Sequence, residues 1–222
     1  MATMETGNSG IVQTILDLPI FEAEWVLWLL LGLSLVSVIV MVERIWFYQQ
    51  HSIDLPKVRD IFKKHLAKGE YAKAARFLES FDSLETNVAL AGLREFSKGA
   101  ESVEEAIAGA ASVETHRFQK RLGFLATVGS NAPFIGLFGT VLGVIKSFSQ
   151  LGEDFGSGGG DLMGGISEAL VATGVGLLVA IPAVIAYNAF NSKVKSLAAN
   201  TDLLSRTLLV ELKSINPPKE VA

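Results

Sequence analysis

The 222-residue sequence predicts an all-α integral membrane protein with three transmembrane helices, the second and third extended into the cytoplasm, and a small cytoplasmic helical region. Three observations carry this reading. Half of the residues are hydrophobic and the mean hydropathy is +0.40, while charged residues reach only 19%, low for a chain that folds wholly in water. Three stretches stay apolar over the roughly twenty residues that a bilayer crossing requires. The basic residues are sorted: all of them except Lys146 lie between the first and second stretches or after the third.

Taken in order, residues 1–24 are read as an acidic outer segment and residues 25–42 as the first span. This span is the most uniformly aliphatic, which suits a peripheral helix against lipid. No basic segment precedes it and no small-residue cleavage site follows it, so it reads as a retained span. Glu43 and Arg44 mark its inner end, with Trp46 and Tyr48 as aromatic anchors at the interface.

Residues 43–121 form the cytoplasmic helical region. Asp54-Leu55-Pro56 starts a helix, because proline's missing N–H costs nothing in a first turn. Val58, Ile61, Phe62, His65 and Leu66 share one face, and Gly69 ends the helix. Further helices are expected over Tyr71–Phe81 and Leu84–Ser97. Ser102 and Glu105 have capping-box spacing, and no proline follows until Pro133, so one helix is expected to run from there into the second span.

The second span covers residues 122–150, a glycine-rich acidic turn 151–166, the third span 167–192, and a C-terminal helix and tail 193–222. Pro133 and Pro182 are expected to kink the spans, since proline removes a donor and crowds the preceding turn. Past the third span, Val194, Leu197, Leu204, Leu208 and Leu212 share a face, and the Asn216-Pro217-Pro218 tail is expected to be disordered. The positive-inside rule puts the N-terminus and the 151–166 turn in the periplasm and the C-terminus in the cytoplasm.

The second and third spans carry more small residues than a lipid-facing surface needs. Ala132, Gly136, Thr140, Gly143 and Ser147 form one stripe at helical spacing, and Ala169, Thr173, Gly176, Ala180 and Ala183 another. Small stripes let helices approach closely in lipid, where packing rather than hydrophobicity holds them together. Gly136, Gly143, Gly176 and Ala180 are therefore assigned to helix packing, between the spans of several copies surrounding a partner.

Three polar residues stand out. Glu168 fits two readings: a group that binds or relays a proton or cation, or an acid in the first turn of the third span, favoured there by the helix dipole. Thr140 and Thr173 also fit two: a hydroxyl bonded back to the carbonyl three or four residues earlier, or a hydroxyl facing a pathway. Lys146 is read as snorkelling to the outer interface to pair with Glu153 or Asp154. No cysteine is present, the three histidines lack acidic company for a metal, and Gly156–Asp161 lacks the lysine and strand of a phosphate loop. No nucleophile, base and orienter set points to an enzyme.

APFIGLFGTVLG followed by ISEALVATGVGLLVAIPAVIAYN resembles the core of the MotA/TolQ/ExbB proton-channel family, in its ExbB/TolQ branch; the match is dense from Asn131 onward and weak before it. The resemblance implies a homopentamer in the bacterial inner membrane. The second and third spans would enclose the single helices of two ExbD/TolR-like subunits, each bearing a membrane aspartate. It implies no cofactor beyond protons as coupling ion. Thr140 and Thr173 would line the ring, and Glu168 would tune outer proton access or a subunit contact. Lys146 departs from the family pattern. The work driven would be TonB-type import, Tol-type envelope maintenance or gliding, through a TonB/TolA-like or gliding client. A non-conducting scaffold and a four-span flagellar-type stator are the alternatives. Membrane lipids are expected contacts and nucleic acid is not.

Overall fold

The computed structural model describes residues 24–153 and 159–215, and among these every regular element is a helix, with no strand. The elements are α1 (Glu24–Gln50), α2 (Leu55–Ala67), α3 (Tyr71–Glu79), α4 (Leu84–Arg94), a 3-10 turn (Phe96–Lys98), α5 (Ala100–Gln119), α6 (Leu122–Glu153) and α7 (Gly159–Ile215). Three of these, α1, α6 and α7, contain stretches long and apolar enough to cross a membrane. Residues 1–23, the centre of the expected turn at 154–158 and the tail from 216 lie outside the described residues.

The chain divides into two compact units, one of Met1–Val40 and Phe124–Tyr187, the other of Met41–Gly123 and Asn188–Ala222. In the first, α1 packs by one edge only. Val26 and Leu30 are fully buried, while Trp28, Leu31, Leu35 and Ile39 are exposed, as a helix against lipid requires. Trp25 meets Phe138 of α6 edge to face with ring centroids 6.4 Å apart.

The second unit has its own apolar core. Val58, Phe62 and Leu66 of α2, Ala74 and Leu78 of α3, Leu90 and Leu93 of α4 and Val103 of α5 close around Leu204, Leu208 and Leu212 of α7. The α2 start is as its sequence dictates: Asp54 caps it by accepting from the Lys57 amide, and Gly69 follows its end with φ +69°. α3 stops at Glu79, and the α4 segment ends at Arg94 before a 3-10 turn. A capping box forms where none was read, with Ser83 and Thr86 exchanging side-chain and backbone bonds at the start of α4. Ser102 and Glu105 do not form one. α5 begins two residues earlier, behind Gly99, whose φ of +101° only glycine adopts freely.

The expected continuous helix from Ser102 into the second span is broken. Lys120 leaves the helix with ψ 136° and Arg121 sits in the left-handed region at φ +69°. The break frees carbonyls at the end of α5, and α1 takes them: Tyr48 Oη donates to Phe118 O at 2.8 Å, and Arg44 Nη1 donates to Lys120 O at 3.2 Å. Arg121 Nη1 in turn reaches Glu43 Oε1 at 2.9 Å, and Glu43 also pairs with Arg44. Tyr48, expected as an exposed interface anchor, is thus buried and used as a clasp, whereas Trp46 is exposed.

A second cluster joins α1, α4 and α5 of this unit. Arg117 Nη2 reaches Asp82 Oδ2 at 2.7 Å, His51 Nε2 lies 3.2 Å from the same oxygen, and the His51 ring stacks on Phe47. The Arg117 guanidinium beside Asp82 holds its carboxyl well below the usual carboxylate range, with Asn87 adding a further hydrogen bond. Glu85, in the first turn of α4, is 1% exposed; Asn200 Nδ2 lies 3.5 Å from one of its oxygens.

Candidate functional site

The two small-residue stripes meet each other inside one chain. A Cβ placed on Gly136 would lie 2.6 Å from Ala172 O and 3.2 Å from Gly176 Cα, and a Cβ on Gly176 would lie 2.6 Å from Ala132 O. Backbone therefore touches backbone at this crossing, and no side chain can be moved aside to make room. Above it, a Cβ on Gly143 would meet Ala169 Cβ at 2.6 Å, and one on Gly165 would meet Ser147 Oγ at 2.2 Å. Ala132, Ser147, Ala169, Ala180 and Ala183 are all buried. The stripes were expected to pack spans of several copies; they form the α6–α7 seam of the protomer itself. The α7 stripe is also one turn longer than its sequence suggested, because α7 starts at Gly159 and Gly165 joins it.

The same approach brings the two threonine hydroxyls together. Thr140 Oγ1 on α6 lies 3.2 Å from Gly136 O, its own preceding turn, and 3.2 Å from Ala169 O on α7. It also hydrogen-bonds to Thr173 Oγ1. Ala169 O is the acceptor to which Thr173 would ordinarily bond back, four residues earlier, so Thr140 occupies it from the neighbouring helix. Both threonines are partly exposed.

Each hydroxyl has one hydrogen, and carbonyls only accept. If Thr140 donates to a carbonyl, Thr173 donates to Thr140 and presents lone pairs outward. If Thr140 donates to Thr173, it releases Ala169 O, and the Thr173 hydrogen bonds back to that carbonyl or turns toward an outside acceptor. Rotation of the two hydroxyls thus lets the pair act as an acceptor or as a donor.

Glu168 is exposed on α7 and lies nine residues past Gly159, about two and a half turns into the helix. The first-turn reading, with the helix dipole as its reason, therefore does not apply. Five residues separate it from Thr173, and the two do not share the seam. Lys146 is exposed on α6; Asp154, one of its expected partners, and the Glu153 side chain lie outside what is described. Pro133 and Pro182 sit inside helices that run on past them.

The fold and site define a helical membrane protein whose second and third spans form a glycine-tight pair joined by a hydrogen-bonded pair of threonine hydroxyls. The description of the MotA/TolQ/ExbB proton channel family matches residues 80–202, more than half of the chain, and the chain belongs to that family. Among curated relatives, it is similar to the Tol-Pal system protein TolQ of Pseudomonas aeruginosa, 46% identical over 97 residues, 44% of this chain and 42% of the relative. It is similar to the biopolymer transport protein ExbB of Neisseria gonorrhoeae, 45% identical over 96 residues, 43% of this chain and 44% of the relative. A third, ExbB of Xanthomonas campestris, is 37% identical over 117 residues, 53% of this chain and 46% of the relative. The matched part spans about half the length of these relatives or less, and the family match covers all of α6 and α7 as far as residue 202.

Proposed function

We propose that the chain is a ring-forming subunit of a proton-motive-force-driven motor in the bacterial inner membrane, coupling proton flow to work on the cell envelope. The observation that carries this reading is the Thr140–Thr173 hydroxyl pair, set within the segment that matches the proton-channel family. Two hydroxyls relay a proton but do not store one. A partner must bring the titrating group, and the fitting partner is a single-span subunit of the ExbD/TolR type with an aspartate at membrane depth.

Protonation neutralises such an aspartate and lowers the cost of moving it past an apolar wall. The pair meets the protonated acid as acceptor and the carboxylate as donor. Glu168, exposed and displaced around α7 from Thr173, is assigned to proton access or to a contact with the next subunit. The N-terminus and the connection between the second and third spans, read from the sequence as the 151–166 turn, are assigned to the periplasm and the C-terminus to the cytoplasm, from the sorting of the basic residues.

Native mass spectrometry of the full chain, extracted gently from its own membranes, tests this. A fixed ring, a pentamer by analogy, carrying two copies of a single-span protein with a membrane aspartate is the expected result, and the companion chains would name the client. A chain without such a partner, after crosslinking has excluded loss in detergent, would leave a non-conducting scaffold.

A further inference from the structure

The second unit presents opposite charges on two of its helices. Along α2, Lys57, Ile61, Lys64 and Lys68 are all exposed, and their spacing of four, three and four residues puts them on one stripe. Along α5, Glu101, Glu105, Ala108 and Ser112 are exposed and repeat that spacing. Lys57 is already held by Asp54 at 2.7 Å. Among the described residues, neither Lys64 nor Lys68, and neither Glu101 nor Glu105, has an ion-pair partner.

The two edges do not meet inside one copy. Arg59 of α2 hydrogen-bonds to Thr207, and Glu104 of α5 pairs with Lys213, so both helices flank the same stretch of α7. Thr207 and Lys213 are six residues apart, about 120° around that helix, which puts α2 and α5 on different sides of it. They also follow α7 in opposite senses. The chain goes from Tyr48, beside Phe190, to Arg59, at Thr207; α5 goes from Glu104, at Lys213, to Phe118, beside Tyr48.

We propose that the α2 edge of one copy docks against the α5 edge of the next. Copies standing side by side in one membrane, with their α7 helices parallel, bring α2 and α5 together antiparallel. The shared spacing then sets Lys68 against Glu101, Lys64 against Glu105, Ile61 against Ala108 and Lys57 against Ser112. Charge selects this arrangement. Either edge paired with its own kind would set lysine against lysine or glutamate against glutamate, which is repulsive, so the contact is head to tail, the kind that closes into a ring when its rotation closes. An anionic surface would take the lysines and repel the glutamates; a second copy satisfies both. The inference rests on the ring reading above and names the surface that would help build it.

The sequence has no cysteine, so an engineered pair reports without background. Ile61→Cys and Ala108→Cys, both at exposed positions in the middle of the contact, are combined in the full chain, oxidised in its own membranes and examined alongside native mass spectrometry of the wild type. The expected result is a ladder of disulfide-linked multimers extending past the dimer from the double variant, and none from either single variant. Adding Lys64→Glu with Lys68→Glu should abolish the ladder, and adding Glu101→Lys with Glu105→Lys as well should restore it. A wild-type ring by native mass without a ladder would overturn this docking, leave the ring reading standing and return the lysines to lipid headgroups or solvent. A wild-type monomer without a ladder would overturn both. A ladder that survives the lysine reversal unchanged, or one that the full swap does not restore, would also overturn the docking.

Discussion

Thr140 and Thr173 hydrogen-bond through their hydroxyls across two helices whose backbones touch one turn away, at Gly136 and Gly176. The closeness of the glycines is what lets the hydroxyls meet.

Gly136→Ala should therefore act at the seam before it acts on assembly. The added methyl would lie 2.6 Å from Ala172 O, and relieving that overlap should cost about 1–3 kcal/mol and separate the hydroxyls. Lower thermal stability of the purified chain together with reduced proton-driven output is expected. Gly143→Leu should behave alike through Ala169, rather than as a selective assembly defect. Wild-type stability in both variants would place the seam elsewhere.

Glu168→Gln keeps the size and removes the charge of an exposed residue. Output driven by the proton gradient is expected to fall while the oligomer persists, measured by client activity alongside native mass. Unchanged output would remove Glu168 from the pathway.

Tyr48→Phe deletes the hydroxyl that caps Phe118 O and should destabilise the helical unit by about 1 kcal/mol, the usual worth of one such bond. Hydrogen exchange should rise first at the end of α5. Equal protection in both proteins would show that the clasp carries no load.

Asp82 gives a pH dependence. Its folded carboxyl is held below the usual range by Arg117, so its contribution is present above the unfolded value of about 3.9 and is lost as pH falls through the lowered folded value. The side chain is 57% exposed, which limits the contribution to about 1 kcal/mol or less. Unfolding of wild type and Asp82→Asn should differ at neutral pH and converge in acid. A difference that grows in acid would contradict the assignment.

The spans, the small stripes and the α2 cap were legible in the sequence because each is local: apolar length, three- and four-residue spacing, and Asp before Leu-Pro. What the stripes pack against was not legible, since a small-residue face reads the same whether its neighbour belongs to the same chain or another. The break at Lys120–Arg121 was hidden because a left-handed position usually shows as glycine. Here an arginine takes it, supported by Glu43 and by Arg44 and Tyr48, more than seventy residues earlier. Glu168 was misplaced within its helix because the glycines from Gly159 onward look like a turn, yet they begin α7. The two threonines stand out in the sequence as polar residues within apolar spans, but their bond depends on the Gly136–Gly176 approach, which no spacing along one helix encodes.

The most direct measurement is proton flux into vesicles holding the chain with its single-span partner, compared for wild type, Thr173→Ser and Thr173→Val. Serine keeps the hydroxyl and should keep most of the flux. Valine keeps the shape without the hydroxyl and should lower it about tenfold or more, the rate equivalent of losing one hydrogen bond of about 1.4 kcal/mol. Full flux through the valine variant, with the ring intact, would contradict a proton path through the Thr140–Thr173 pair.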